Sequence, residues 1–143
     1  MRKVVAPDEV CHLWAHGAQD TARNSGGSLF FTGPTLYSYR ESFAIAHRLY
    51  GPEYGALNGA ILWNDQGYSV TTTRHQTYAR RALTQQQNDN RVYLPELNRD
   101  IAHGIDRDIA AGKIPAFISG KLLDKIRGHV SGLIGKRHSS GPF

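Results

Sequence analysis

The sequence predicts an α+β domain: an antiparallel sheet of about four strands from two hairpins, packed with helices and followed by a helical C-terminal third. Three features carry that expectation. Two short runs rich in aromatic and β-preferring residues, Leu29–Thr32 and Thr35–Tyr39, are separated only by Gly33-Pro34. Apolar spacing changes to a helical period after residue 74, and helical stripes recur beyond residue 91. At 143 residues the chain has the size of one domain, 1–143, able to bury a core without disulfide or metal support.

The first element is a helix from Pro7 to about Ala18. Pro7 suits a first turn, and Asp8 and Glu9 lie near the positive end of the helix dipole. Val10, Leu13 and Trp14 then share a face, although Val10–Trp14 also reads as a strand. Ser25-Gly26-Gly27-Ser28 breaks the chain. The two-residue connection Gly33-Pro34 has glycine first, as a type II′ hairpin requires. Alternation in the second strand puts Tyr37 and Tyr39 on one face, opposite Leu36.

Ser42 is placed to cap a short helix through Phe43, Ala44, Ile45, Ala46 and Leu49, stopped by Gly51-Pro52. A second hairpin is expected from Ala60–Trp63, a turn at 64–67 and a strand over 68–73, so that two hairpins supply four strands. Residues 74–86 form a helix with Tyr78, Ala79, Ala82 and Leu83 on one side and Arg74, Arg80 and Arg81 pointing elsewhere. The polar tract around 87–90 divides a sheet-forming part, 1–86, from a helical part, 91–143. In the latter Pro95 suits a first turn and Leu94, Leu97, Ile101, Ile105 and Ile109 make a stripe. Ser119 caps a last helix with Leu122, Ile126 and Val130 aligned, a stripe that the domain core or a second copy of the chain could cover. Core candidates are Leu29, Phe31, Ile61, Val70, Leu97, Ile101, Leu122 and Ile126.

Charge is uneven. Residues 110–143 hold six cations, Lys113, Lys121, Lys125, Arg127, Lys136 and Arg137, against Asp124, which accounts for the whole net charge of +5. A localised basic segment attracts phosphate, because each neutralised phosphate releases condensed counterions; the plainer alternative is a solvated helix face and tail. No apolar run approaches a membrane span, and the start of the chain lacks a signal-peptide core, so no membrane partner and a cytoplasmic location are expected. Cys11, the single cysteine, has no partner for a disulfide or a cysteine-rich metal site.

Motifs for catalysis are missing: there is no nucleophile elbow, P-loop, dinucleotide fingerprint or paired-carboxylate pattern, so a non-enzymatic role without cofactor is expected. His12 and His16 are one helical turn apart, yet no third ligand follows, and no metal site is expected. Arg23-Asn24, Tyr37, Tyr39 and the Thr72-Thr73-Arg74-His75 junction are the remaining polar candidates. Aromatics beside cations on a strand are also the composition that stacks unpaired bases, although the RNA-binding sheet motif is absent.

Three stretches, His12–Asn24, Thr35–Ala46 and Tyr68–His75, resemble small proteins of unknown function encoded by bacteriophages and mobile elements. The resemblance spans about the first 85 residues and implies a host-cell setting without assigning any site. Small phage proteins of this kind bind nucleic acid, inhibit host defence complexes as anti-CRISPR proteins do, or form part of the virion. The basic C-terminus favours the first, binding of DNA or RNA through phosphate without strong sequence preference. Its candidate contacts are Arg74, His75, Arg80, Arg81, Lys121, Lys125, Arg127, Lys136 and Arg137.

Overall fold

The computed structural model describes residues 3–67 and 69–113. They form a mixed six-stranded sheet with strands in sequence order, β1 (Thr21–Arg23), β2 (Leu29–Thr32), β3 (Thr35–Ser38), β4 (Arg40–Arg48), β5 (Ile61–Trp63) and β6 (Arg91–Tyr93). Each neighbouring pair from β1 to β5 is antiparallel, and β6 runs parallel to β5. Helices α1 (Pro7–His16) and α2 (Val70–Ala82) cover one face, α3 (Gln85–Asp89) leads into β6, and α4 (Arg99–Ala110) packs on the other face with a kinked 3-10 segment, Pro52–Leu57. No helix among the described residues is long and apolar enough to cross a membrane.

The α1 expectation holds. Proline occupies the first turn beside Asp8 and Glu9, and Val10, Cys11, Trp14 and Ala15 are buried. Gly17 ends the helix in the left-handed region, φ 60, and its N–H reaches the carbonyls of Leu13 and Trp14. Trp14 donates its indole N–H to the Pro34 carbonyl at 2.8 Å, which ties α1 to the first hairpin turn. That hairpin also forms as expected, with Thr32 paired to Thr35 and Gly33 at φ 56.

Strand alternation divides the core. Leu29, Phe31, Leu36, Ile45, Ile61 and Trp63 meet α1 and α2, while Tyr37, Ala44, Leu62 and Val92 meet Leu97, Ala102, Ile105 and Ile109 on and before α4. Four of the expected core residues, Leu29, Phe31, Ile61 and Leu97, are fully or almost fully buried. Ile101 is only partly buried, and Val70 is 79% exposed.

Several expectations are corrected. The segment from Ser42 to Leu49 is not a helix: Arg40–Arg48 is the central strand β4, hydrogen-bonded to β3 and β5. Ala44, Ile45, Ala46 and His47 are all buried, and a strand covered on both faces reads as a continuous apolar run that helical spacing also fits. The second hairpin does not form. Val70–Thr73 is the first turn of α2, because Ser69 caps the helix by accepting the Thr72 N–H at 3.0 Å, a local bond that outweighs the β preference of Val-Thr-Thr-Thr. The helical part is also interrupted: Arg91–Tyr93 is a strand, and α4 begins only at Arg99, capped by Asn98.

The polar tract is more ordered than a loop. Thr84 and Gln87 make a reciprocal capping box at the start of α3, and the chain then returns to the same sheet through β6. Tyr37 and Tyr39 do not share a face. Tyr37 is 1% exposed, whereas Tyr39 forms a bend at φ 67 that breaks the alternation. The expected helix from Ser119, with Leu122 and Ile126, lies outside the described residues.

Candidate functional site

Helix α2 gathers most of the polar candidates and sorts them by its geometry. At about 100° per residue, Thr72, His75, Gln76 and Ala79 share the inner face, and all four are buried. Val70, Thr73, Arg74, Thr77, Arg80 and Arg81 then fall on an arc of about 120° on the opposite side. Five of these six are exposed, and Thr77 is partly so. The helix contains no Asp or Glu, and among the described residues none of its three arginines is in an ion pair. Arg80 donates to the Thr77 hydroxyl at 3.2 Å, a bond within the stripe.

Polar groups hold the inner face. His75 Nδ1 shares a 2.9 Å hydrogen bond with the Ser38 hydroxyl, which also meets Thr72 Oγ1 at 3.0 Å. Ser69 donates to Thr72 Oγ1 at 3.1 Å, so a chain of hydroxyls runs from the helix cap to the imidazole. Burial and the neighbouring Arg74 charge both push His75 below the ordinary histidine range, favouring the neutral ring. Gln76 donates to the carbonyls of Asn64 at 2.8 Å and Gln66 at 3.3 Å. His75 therefore positions α2 from inside, while Arg74, Arg80 and Arg81 face outward. Lys121, Lys125, Arg127, Lys136 and Arg137 lie outside the described residues.

The other candidates have structural partners. Arg23 donates to the Asn24 and Ser25 carbonyls at 3.2 Å each, and Asn24 Oδ1 accepts the Leu29 N–H at 3.1 Å, so this pair shapes the turn before β2. His12 and His16 bring their rings to 4.4 Å on the exposed side of α1. Among the described residues no group of three His, Cys, Asp or Glu side chains is arranged to hold a metal. His12 does border an open cleft of about 510 Å³ between α1 and α2, with Asp8 and Glu9 on one wall and Tyr78, Arg81 and Ala82 on the other.

One network has no precursor in the sequence patterns. His47 Nε2 donates to Asp106 Oδ1 at 2.9 Å, Tyr54 donates to the same oxygen at 2.8 Å, and His47 Nδ1 shares a 2.7 Å bond with Thr35. Hydroxyl, imidazole and carboxylate in series suit proton transfer, but Thr35 and His47 are 1% and 0% exposed, so no substrate reaches the hydroxyl. The series instead clips α4 and the 3-10 segment to the sheet. Fifty-nine residues separate His47 from Asp106, and no local spacing signals such a pair.

No protein-family model, curated protein or solved structure matches the chain. The segments around residues 12–24, 35–39 and 69–75 meet in space. Trp14 bonds the turn before Thr35, and Ser38 bonds Thr72 and His75.

Proposed function

We propose that this protein binds nucleic acid by contacts to phosphate, made by the exposed face of α2 together with the cations that follow residue 109. The observation that carries the proposal is the outer stripe of α2, where Arg74, Arg80 and Arg81 stand without a carboxylate on the same helix. Arg74 and Arg81 are seven residues apart, about 10 Å along the axis, so separate phosphates can engage each. Guanidinium groups suit this task because their planar donors match phosphate oxygens. The stripe offers no Asn or Gln aimed at base edges, which fits contacts that position a strand without reading its sequence. Lys121, Lys125, Arg127, Lys136 and Arg137 supply the rest of the attraction in this proposal. His75 supports the stripe by anchoring the helix to Ser38.

The test is affinity against salt. Log affinity for duplex DNA should fall linearly with log salt, by about 0.9 per neutralised phosphate. Replacing Arg74, Arg80 and Arg81 together with glutamine should lower that slope by up to about 2.7 while leaving the circular dichroism spectrum unchanged. A wild-type protein that fails to bind DNA or RNA at 50 mM salt would sink the proposal. So would capture from host lysate of a protein at fixed stoichiometry that survives nuclease treatment and competes with no nucleic acid.

A further inference from the structure

Among the described residues, the face of the sheet that carries α4 is covered over β3 to β6 and left open over β1 and β2. Tyr37, Ala44, Leu62 and Val92 are buried on that face. Their neighbours on the same face, Thr21 and Arg23 in β1 and Phe30 and Thr32 in β2, are all at least partly exposed. Strand pairing sets Arg23, Phe30 and Tyr37 side by side in one row. Tyr37 stacks on Phe30, with ring centroids 5.1 Å apart and planes 27° from parallel, close to the spacing of neighbouring strands.

The next strand continues the row without a ring. A cavity of about 250 Å³ lies there, lined by Phe30 together with Lys3, Thr21, Ala22, Arg23 and Gly27. Apart from Phe30, these residues belong to β1, to the turn after it or to the segment bridged to its outer edge, so the cavity is on the side of Phe30 away from Tyr37. The Arg23 N–H donates to the Lys3 carbonyl at 2.7 Å, which brings two cationic residues to one rim. One nitrogen of the Arg23 guanidinium donates to the Asn24 and Ser25 carbonyls, and its remaining donors stay available. No carboxylate lines the cavity, and among the described residues neither Lys3 nor Arg23 is in an ion pair.

We propose that this cavity binds a flat aromatic ring carrying a phosphate monoester, a nucleotide, whose ring extends the Tyr37–Phe30 stack and whose phosphate meets Lys3 and Arg23. The site lies on the opposite face of the sheet from α2 and does not depend on the α2 arginines. A purely apolar ligand would leave both cations unused, and inorganic phosphate would leave the face of Phe30 in water. A phosphate monoester carries about two negative charges at neutral pH, matching the two cations. The volume is at the low end for small-molecule pockets and suits one nucleotide rather than a larger cofactor. The Thr21 hydroxyl already donates to the Phe31 carbonyl at 2.9 Å, so stacking rather than bonds to base edges holds the ring, and adenine and guanine nucleotides should bind alike.

The experiment is calorimetric titration of the full chain with adenosine monophosphate (AMP), adenosine and inorganic phosphate. AMP should bind once per chain, and adenosine and phosphate should each bind about tenfold more weakly or less. Phe30→Leu keeps the site apolar but removes the ring face and should weaken AMP by about tenfold. Should that variant fold poorly, Lys3→Gln at an exposed position gives a second test: AMP should weaken by about fivefold while adenosine is unchanged. A short single strand with a 5′-phosphate separates the two sources of this chemistry. If it displaces AMP the ligand is a strand end, if it does not the ligand is the free nucleotide, and either result supports the site. AMP that does not bind at about 1 mM overturns the proposal, as does adenosine that binds equally well or AMP affinity that ignores both variants. Replacing Arg74, Arg80 and Arg81 with glutamine should leave AMP affinity unchanged, and a loss there would overturn this site by assigning the nucleotide to α2.

Discussion

Replacing Asp106 with alanine should destabilise the protein by about 2–4 kcal/mol, because one carboxylate oxygen satisfies two donors. His47 Nε2 reaches it at 2.9 Å and the Tyr54 hydroxyl at 2.8 Å. The His47 side chain is 0% exposed, so its N–H loses its partner with no access to water, at about 1–3 kcal/mol. Tyr54 is only partly buried and can turn to solvent, so its share is about 1 kcal/mol. Urea denaturation followed by circular dichroism reads the sum. With a slope of about 2 kcal/mol per molar, the midpoint should fall by about 1–2 M. Asp106→Asn keeps an acceptor oxygen and should cost less. The pH dependence has a definite sign. Burial raises the Asp106 carboxyl, but the hydrogen bond and charge of His47, the Tyr54 hydroxyl and the His103 charge outweigh it and hold the carboxyl below its ordinary value. A depressed carboxyl adds stability above its unfolded value of about 4 and loses it as pH falls through the folded value, so the acid limb should flatten in Asp106→Asn. An alanine variant within about 0.5 kcal/mol of wild type would refute the clip, since surface substitutions fall in that range.

Cys11 should be slow to react with iodoacetamide at pH 8 until the protein unfolds, because burial, aided by Asp8, pushes its thiol up to about 12; rapid labelling of native protein would mean that α1 does not dock. Ser69→Ala should lower stability by about 1 kcal/mol through loss of the α2 cap, measured by thermal melting. Val70→Lys should shift stability by no more than about 0.5 kcal/mol, and a large loss would restore the strand expectation for 68–73.

The parts of the fold that could be read from sequence are those specified by neighbours in the chain. Pro7, Asp8 and Glu9 start α1, and Gly33-Pro34 sets the hairpin between β2 and β3. Both signals act within a few residues. The failures occur where partners far apart decide. Phe43–Ala46 has helical spacing and small residues, but β3 and β5 pair with it on either side, and only that pairing makes it a strand. Arg91–Tyr93 contributes three residues to the sheet, too few to show a period, and is held by its parallel pairing with Ile61–Trp63. Nor could alternation foresee Tyr39, since one left-handed residue turns every later side chain out of phase.

The candidate site failed in the sequence at the same point as the fold. Treating 68–73 as a strand starts the helix at Arg74, and His75 then groups with its cationic neighbour. Starting at Val70 instead, Thr72, His75, Gln76, Ala79 and Leu83 fall at positions i, i+3, i+4, i+7 and i+11, one continuous inner face. Three of those five residues are polar, so no hydrophobic stripe announces the face. They are buried because Ser38 and the carbonyl of Asn64, on strands or loops distant in sequence, supply hydrogen bonds that replace water. A buried polar face is invisible to any rule that equates burial with hydrocarbon. Once Thr72, His75 and Gln76 are turned inward, the helix has only its outer side left for Arg74, Arg80 and Arg81, with Arg81 at the edge that borders the cleft lined by Asp8 and Glu9.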